Sequence, residues 1–134
     1  MPGALAKPGT RRRPAIGCGV DVVDLVRFRR VVRRGGEPFM RRVFTPEEVA
    51  YARARKRTML LHLAGRFAAK EAVMKALSQL NGRPVPPMNR IEVRNDRIGR
   101  PRIILHGWRG RPPQIHISLS HVESVAVASA FILG

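Results

Sequence analysis

Apolar residues recur at threes and fours through one long stretch, and the rest of the chain is read around it. From Leu63 to Leu77, LAGRFAAKEAVMKAL, the sequence is rich in Ala and Leu, lacks Pro and has one Gly near its start, which predicts a single helix. Leu60, Leu63, Phe67, Met74 and Leu77 fall on one side, and Lys70 and Glu71 interrupt that stripe. Gly65 with the alanines at 64, 68, 69, 72 and 76 leaves room for something else to approach the backbone closely. Upstream, Ile16 to Val23 is a run of small and β-branched residues that predicts a short strand. The period turns helical from about Asp24. Leu25, Phe28 and Val32 form an inner face there, until Gly35-Gly36 ends the helix. Thr45-Pro46-Glu47-Glu48 predicts a second helix running toward Arg55, with Thr45 as N-cap, Pro46 first and Glu48 closing a capping box.

The central helix is expected to stop near Asn81-Gly82, before a stiff connector containing Pro84, Pro86 and Pro87. Ile91 to Arg94 and Arg102 to Leu105 flank a turn at Gly99 and predict a hairpin. His106 to Pro113 reads as loop. His116 to Leu119 and Val125 to Leu133 read as two more strands joined through Ser120-His121. The last is apolar or small at nearly every position, which predicts cover on both faces. The order β-α-α-α-β-β-β-β argues an α+β domain, a small antiparallel-type sheet packed on a long central helix.

Composition changes this picture in three ways. With 134 residues the chain has length for one domain, 15–134, preceded by a basic arm at 1–14 carrying Arg11-Arg12-Arg13, which is expected to be disordered. The formal charge of +17 favours an anionic partner: nucleic acid, an acidic protein or a phosphate-rich small molecule. The single cysteine, Cys18, rules out an internal disulfide framework or a cysteine-based zinc site. With no stretch of signal-peptide or membrane-spanning length, a cytoplasmic protein is expected.

Candidate chemistry lies where charge enters apolar elements. Asp21 sits inside the first strand and must be hydrogen-bonded, paired or bound to metal, because burying it bare is costly. Glu71 is one carboxylate among Arg66, Lys70 and Lys75 on a small-residue helix, which suits a metal ion beside a polyphosphate. Taken alone, the stretch reads first as an ordinary amphipathic helix with a solvated Glu71–Lys75 pair. Arg27, Arg30 and Arg34 share one helical face, either a solvated surface or a grip for an acidic helix.

Taken together, these blocks resemble a known family. Gly17-Cys18-Gly19-Val20-Asp21-Val22-Val23-Asp24 followed by Gly65-Arg66-Phe67-Ala68-Ala69-Lys70-Glu71-Ala72 is similar to holo-acyl-carrier-protein synthase, the small single-domain class of phosphopantetheinyl transferases. Ile91-Glu92-Val93, Gly99-Arg100-Pro101 and Ser118-Leu119-Ser120-His121 match its later blocks in order, so the resemblance runs from about Ile16 to Ile132. It implies transfer of 4′-phosphopantetheine from coenzyme A to a serine of an acidic apo acyl carrier protein, in fatty acid, polyketide or peptide synthesis. It implies Asp21 and Glu71 as Mg²⁺ ligands, with Glu71 also the candidate base. Arg66, Lys75, Ser120 and His121 would face the coenzyme A phosphates, with core packing the alternative for His121. Arg27, Arg30 and Arg34 would dock the carrier. It also implies a homotrimer, the first motif meeting the central helix across a subunit interface. Only Trp108 to Ile115 stand where the family carries an amphipathic helix, Val122 replaces a hydroxyl residue, and the glycine-rich turn is reduced to Asn81-Gly82-Arg83. Two other functions fit the charge: a nucleic-acid-binding domain and a catalytically inactive carrier-binding module. Few aromatics for base stacking speak against the first, and the presence of Asp21 and Glu71 against the second.

Overall fold

A computed structural model describes residues 15–80 and 82–134; the basic arm expected over 1–14 lies outside them, as does Asn81. The elements run β1 (Ile16–Asp24), α1 (Leu25–Val43), α2 (Pro46–Arg53), α3 (Met59–Leu77), β2 (Ile91–Asn95), β3 (Pro101–Leu105), β4 (Gln114–His121) and β5 (Val125–Leu133). The strands form two antiparallel sheets rather than one. The larger has the order β1-β5-β4, and the hairpin β2-β3 stands apart.

The 19-residue helix α3 packs on the three-stranded sheet through its alanines. Ala64, Ala68, Ala69, Ala72 and Ala76 are fully buried, whereas Leu60, Phe67 and Met74 of the expected inner stripe are only half-buried. The reason is on the strand. Gly17 and Gly19 face α3, and a Cβ on Gly19 would sit 2.1 Å from the Ala72 carbonyl oxygen, one on Gly17 2.2 Å from that of Ala76. Two surfaces stripped to backbone and methyl groups pack closest, so the tightest contact lies along the small residues.

Three expectations need correction. Gly36, at φ 55°, breaks the first helix as read, but a helical segment resumes at once and runs to Val43. Pro38 sits in its first turn, where a missing N–H costs nothing. Ser120 and His121 do not join two strands: they continue β4, paired with Val127 and Ala126, and the turn falls at 122–125. Finally, β5 is covered on one face only. Ala126, Ala128, Ala130 and Ile132 are buried against α3, while Phe131 is 58% exposed and Leu133 43%, because among the described residues no other element covers the far side.

Other expectations stand. Thr45 and Glu48 form the capping box, and Asp24 caps α1 by accepting from the Arg27 N–H at 2.9 Å. Phe28 fastens α1 to the core, its ring 5.5 Å from that of Phe67. The loop from His106 to Pro113 is tied back by Arg83, which lies 5.1 Å from the Trp108 ring and donates to the Arg109 carbonyl. Among the described residues no helix is long and apolar enough to cross a membrane.

Candidate functional site

Strand alternation puts Gly17, Gly19, Asp21 and Val23 of β1 on the face toward α3. The first two make the close approach; the third therefore brings a carboxylate against the middle of the helix. Lys75 reaches it there, donating to Asp21 Oδ1 at 3.1 Å and to the Val20 carbonyl at 2.9 Å. Lys75 makes no ion pair with Glu71, so the solvated pair four apart does not form. Glu71 is half-buried beside this contact. Burial raises its pKa above the ordinary value and the charge on Asp21 raises it further, against a smaller lowering by Lys75. The charge on Asp21 thus acts on Glu71 within a single chain. The first motif and the central helix meet inside one protomer, because the two glycines allow it.

The helix carries two further polar groups on other faces. Lys70 is completely buried and pairs with Glu48, while donating to the Val43 carbonyl at 2.5 Å and the Met88 carbonyl at 3.2 Å. Burial lowers the Lys70 pKa, and Glu48 opposes that shift. This lysine faces away from Asp21 and Glu71 and holds the fold. Arg66, one and a half turns before Glu71, is 7% exposed, and its Nε is buried without a hydrogen-bond partner. Its guanidinium carbon lies 4.1 Å from the centre of the Tyr51 ring.

Arg66 belongs to a cluster that sequence reasoning did not assemble. Arg55 also lies on Tyr51, at 3.5 Å, and the His62 ring meets Tyr51 edge-on at 5.3 Å. His62 has its pKa lowered by burial and then by Arg66, Arg55 and His121, which places His121 at the end of β4 in the same neighbourhood. The available signal was spacing. Tyr51 and Arg55, the latter just past the end of α2, are four apart, as are His62 and Arg66 on α3, and Tyr51 is the only tyrosine in the chain. Ser120 lies beside His121, exposed on β4, while Arg27, Arg30 and Arg34 form an exposed row on α1.

A family model describing the 4′-phosphopantetheinyl transferase superfamily matches residues 17–131. The chain is 38% identical over 125 residues to a holo-[acyl-carrier-protein] synthase of Syntrophus aciditrophicus, covering 88% of this chain and 95% of that protein. It is 43% identical over 121 residues to one from Moorella thermoacetica, covering 85% and 91%. Its fold matches the crystal structure of a holo-(acyl-carrier-protein) synthase from Bacillus anthracis in complex with coenzyme A (3′,5′-ADP). That match has a TM-score of 0.74 and 33% identity, over 90% of this chain and 98% of the other. With the glycine-seated carboxylate pair, the basic helix and these likenesses in agreement, the chain belongs to the 4′-phosphopantetheinyl transferase superfamily.

Proposed function

We propose that residues 15–134 form a transferase domain that moves 4′-phosphopantetheine from coenzyme A to a serine hydroxyl of an acidic apo acyl carrier protein in the cytoplasm. One observation carries this reading: Asp21, Glu71 and Lys75 converge where β1 touches α3. The residues fit a Mg²⁺ ion. No group of three or more His, Cys, Asp or Glu side chains assembles among the described residues, which excludes an all-protein cage. Mg²⁺ does not need one, since it binds through one or two carboxylates and completes its octahedron with water and substrate phosphates. Two like charges held together, one with a raised pKa, are what such a cation relieves. When bound, it neutralises charge on the pyrophosphate and orients it for in-line attack.

The chain's own residues supply the rest. Glu71 accepts the proton of the carrier serine as its oxygen attacks the phosphorus bearing the pantetheine arm. The bridging P–O bond breaks and adenosine 3′,5′-bisphosphate leaves. Lys75, half-exposed and already turned toward Asp21, offers its remaining N–H donors to the pyrophosphate. Arg66 also faces the phosphates of coenzyme A, and Ser120 and His121 receive its 3′-phosphate. The test is direct: incubate the protein with coenzyme A, Mg²⁺ and apo acyl carrier protein and weigh the carrier by mass spectrometry. A gain of one phosphopantetheine is expected, and an unchanged carrier overturns the assignment.

The exposed Arg27, Arg30 and Arg34 form the docking row for the acidic carrier. Arg27→Glu is expected to raise the carrier's KM about tenfold while leaving that of coenzyme A within about twofold. Equal rises in steady-state kinetics would remove the row from docking. The open face of the larger sheet presents Ile16, Val20, Val22 and Phe131, each more than half exposed in the single chain. A continuous apolar face of this kind fits cover by further copies of the chain, as a homotrimer. Light scattering should then give three times the 15.0 kDa chain mass, and a monomer in solution would exclude the trimer.

A further inference from the structure

Tyr51 occupies an unusual position for a residue with no reactive role. Two guanidiniums rest against its ring, Arg55 at 3.5 Å from the bend after α2 and Arg66 at 4.1 Å from α3. Neither makes an ion pair among the described residues. Like charges brought this near repel, so something must hold them. The electron-rich ring face does so for both, and each guanidinium keeps N–H donors for use elsewhere. The ring itself is fixed from three sides. Its hydroxyl accepts from Asn95 Nδ2 at 3.0 Å, the His62 ring closes the edge at 90°, and Arg55 donates back to the Tyr51 carbonyl at 3.0 Å. Arg66 is buried, and its Nε has no hydrogen-bond partner.

We propose that Tyr51 is a positioning residue that holds Arg55 and Arg66 as a ready-made two-arginine clamp for a single phosphoryl group of the donor substrate. This rests on the coenzyme A reading and extends it: Arg55 joins the anion site, and the ring sets the spacing of the pair before substrate arrives. Preorganisation is what the stack contributes, because two free arginines would lose side-chain freedom on binding. Coenzyme A offers two candidate groups, the 3′-phosphate and the pyrophosphate, with the same chemistry.

The test is calorimetric titration of coenzyme A and of dephospho-coenzyme A, which lacks the 3′-phosphate, into wild type, Tyr51→Leu, Tyr51→Phe and Arg55→Met. Tyr51→Leu is expected to raise the Kd for coenzyme A about tenfold, and Tyr51→Phe, which keeps the ring, to restore it to within about twofold of wild type. The carrier's KM should not move. If the clamp holds the 3′-phosphate, the Tyr51→Leu penalty disappears with dephospho-coenzyme A; if it holds the pyrophosphate, the penalty persists. Arg55 is exposed, so Arg55→Met will fold even if Tyr51→Leu does not, and it should show the same weakening. Wild-type affinity in Arg55→Met or in a folded Tyr51→Leu overturns the clamp, as does a Tyr51→Phe variant no better than Tyr51→Leu. Absence of coenzyme A binding by the wild-type protein would instead sink the transferase reading beneath it.

Discussion

Glu71→Ala should lower carrier modification by about a thousandfold while leaving the protein folded, since a positioned base alone contributes about 10²–10⁴. Both halves follow from the surroundings of this side chain. It makes no hydrogen bond or ion pair among the described residues, so no partner is orphaned by its loss. Its pKa lies above the ordinary value, chiefly because of burial and then Asp21. The folded state therefore holds the proton more tightly than the unfolded chain. Stability falls as pH rises through the window between the ordinary value and the raised one. At neutral pH the ionised carboxylate costs stability, and removing it should leave Tm unchanged or slightly raised. A single-turnover assay beside a thermal melt separates the two effects. Turnover near wild type would remove Glu71 from the reaction, and a collapsed melt would make it structural.

The largest loss of stability is expected at Lys70. Its ammonium is fully buried against Glu48, which also accepts from the Thr45 N–H and the Val93 N–H, each at 2.9 Å. Lys70 itself closes on two backbone carbonyls, so this single contact joins α3, α2, the end of α1 and the start of the hairpin. Lys70→Met leaves a buried carboxylate without its counter-charge, at a cost of about 3–5 kcal/mol. For a domain of this length that corresponds to a fall in Tm of more than about 8 °C. The double variant Lys70→Met/Glu48→Gln carries no net charge at the site and keeps one acceptor oxygen where the carboxylate has two, so one of the two N–H groups loses its partner. It should recover part of the loss. A Lys70→Met protein melting within about 3 °C of wild type would show the pair to be dispensable, as would a double variant no better than the single one.

The contrast between Glu48 and Asp21 marks what this chain reveals to a reader of residues alone. Glu48 announces its local task, because a capping box is defined by three-residue spacing and closes without tertiary help. Its second task, facing Lys70, depends on where a helix 22 residues later is turned, and no local pattern encodes that. Lys70 looks on paper like the other cations of its helix. Asp21 was legible as an anomaly, an acid in an apolar strand, while its partner Lys75 could not be named before the fold was known. The alanine-rich helix announced a close approach, and Gly17 and Gly19 two apart were the matching half. Leu, Phe and Met nevertheless outweighed alanine in the reading of which side is the core. Gly36 stopped the helix as expected; the resumption after it was hidden because Pro38 discourages helix everywhere except in a first turn. The cover expected on both faces of β5 is supplied on one face only by the described residues.

The account stands on a divalent cation held by Asp21 and Glu71 of the same chain. Crystals grown with coenzyme A and Mn²⁺, an ion with the same preference for oxygen ligands, test it through the metal's anomalous signal. A peak between those two carboxylates within one protomer is predicted. A peak elsewhere, or one whose carboxylates come from two different chains, would contradict it.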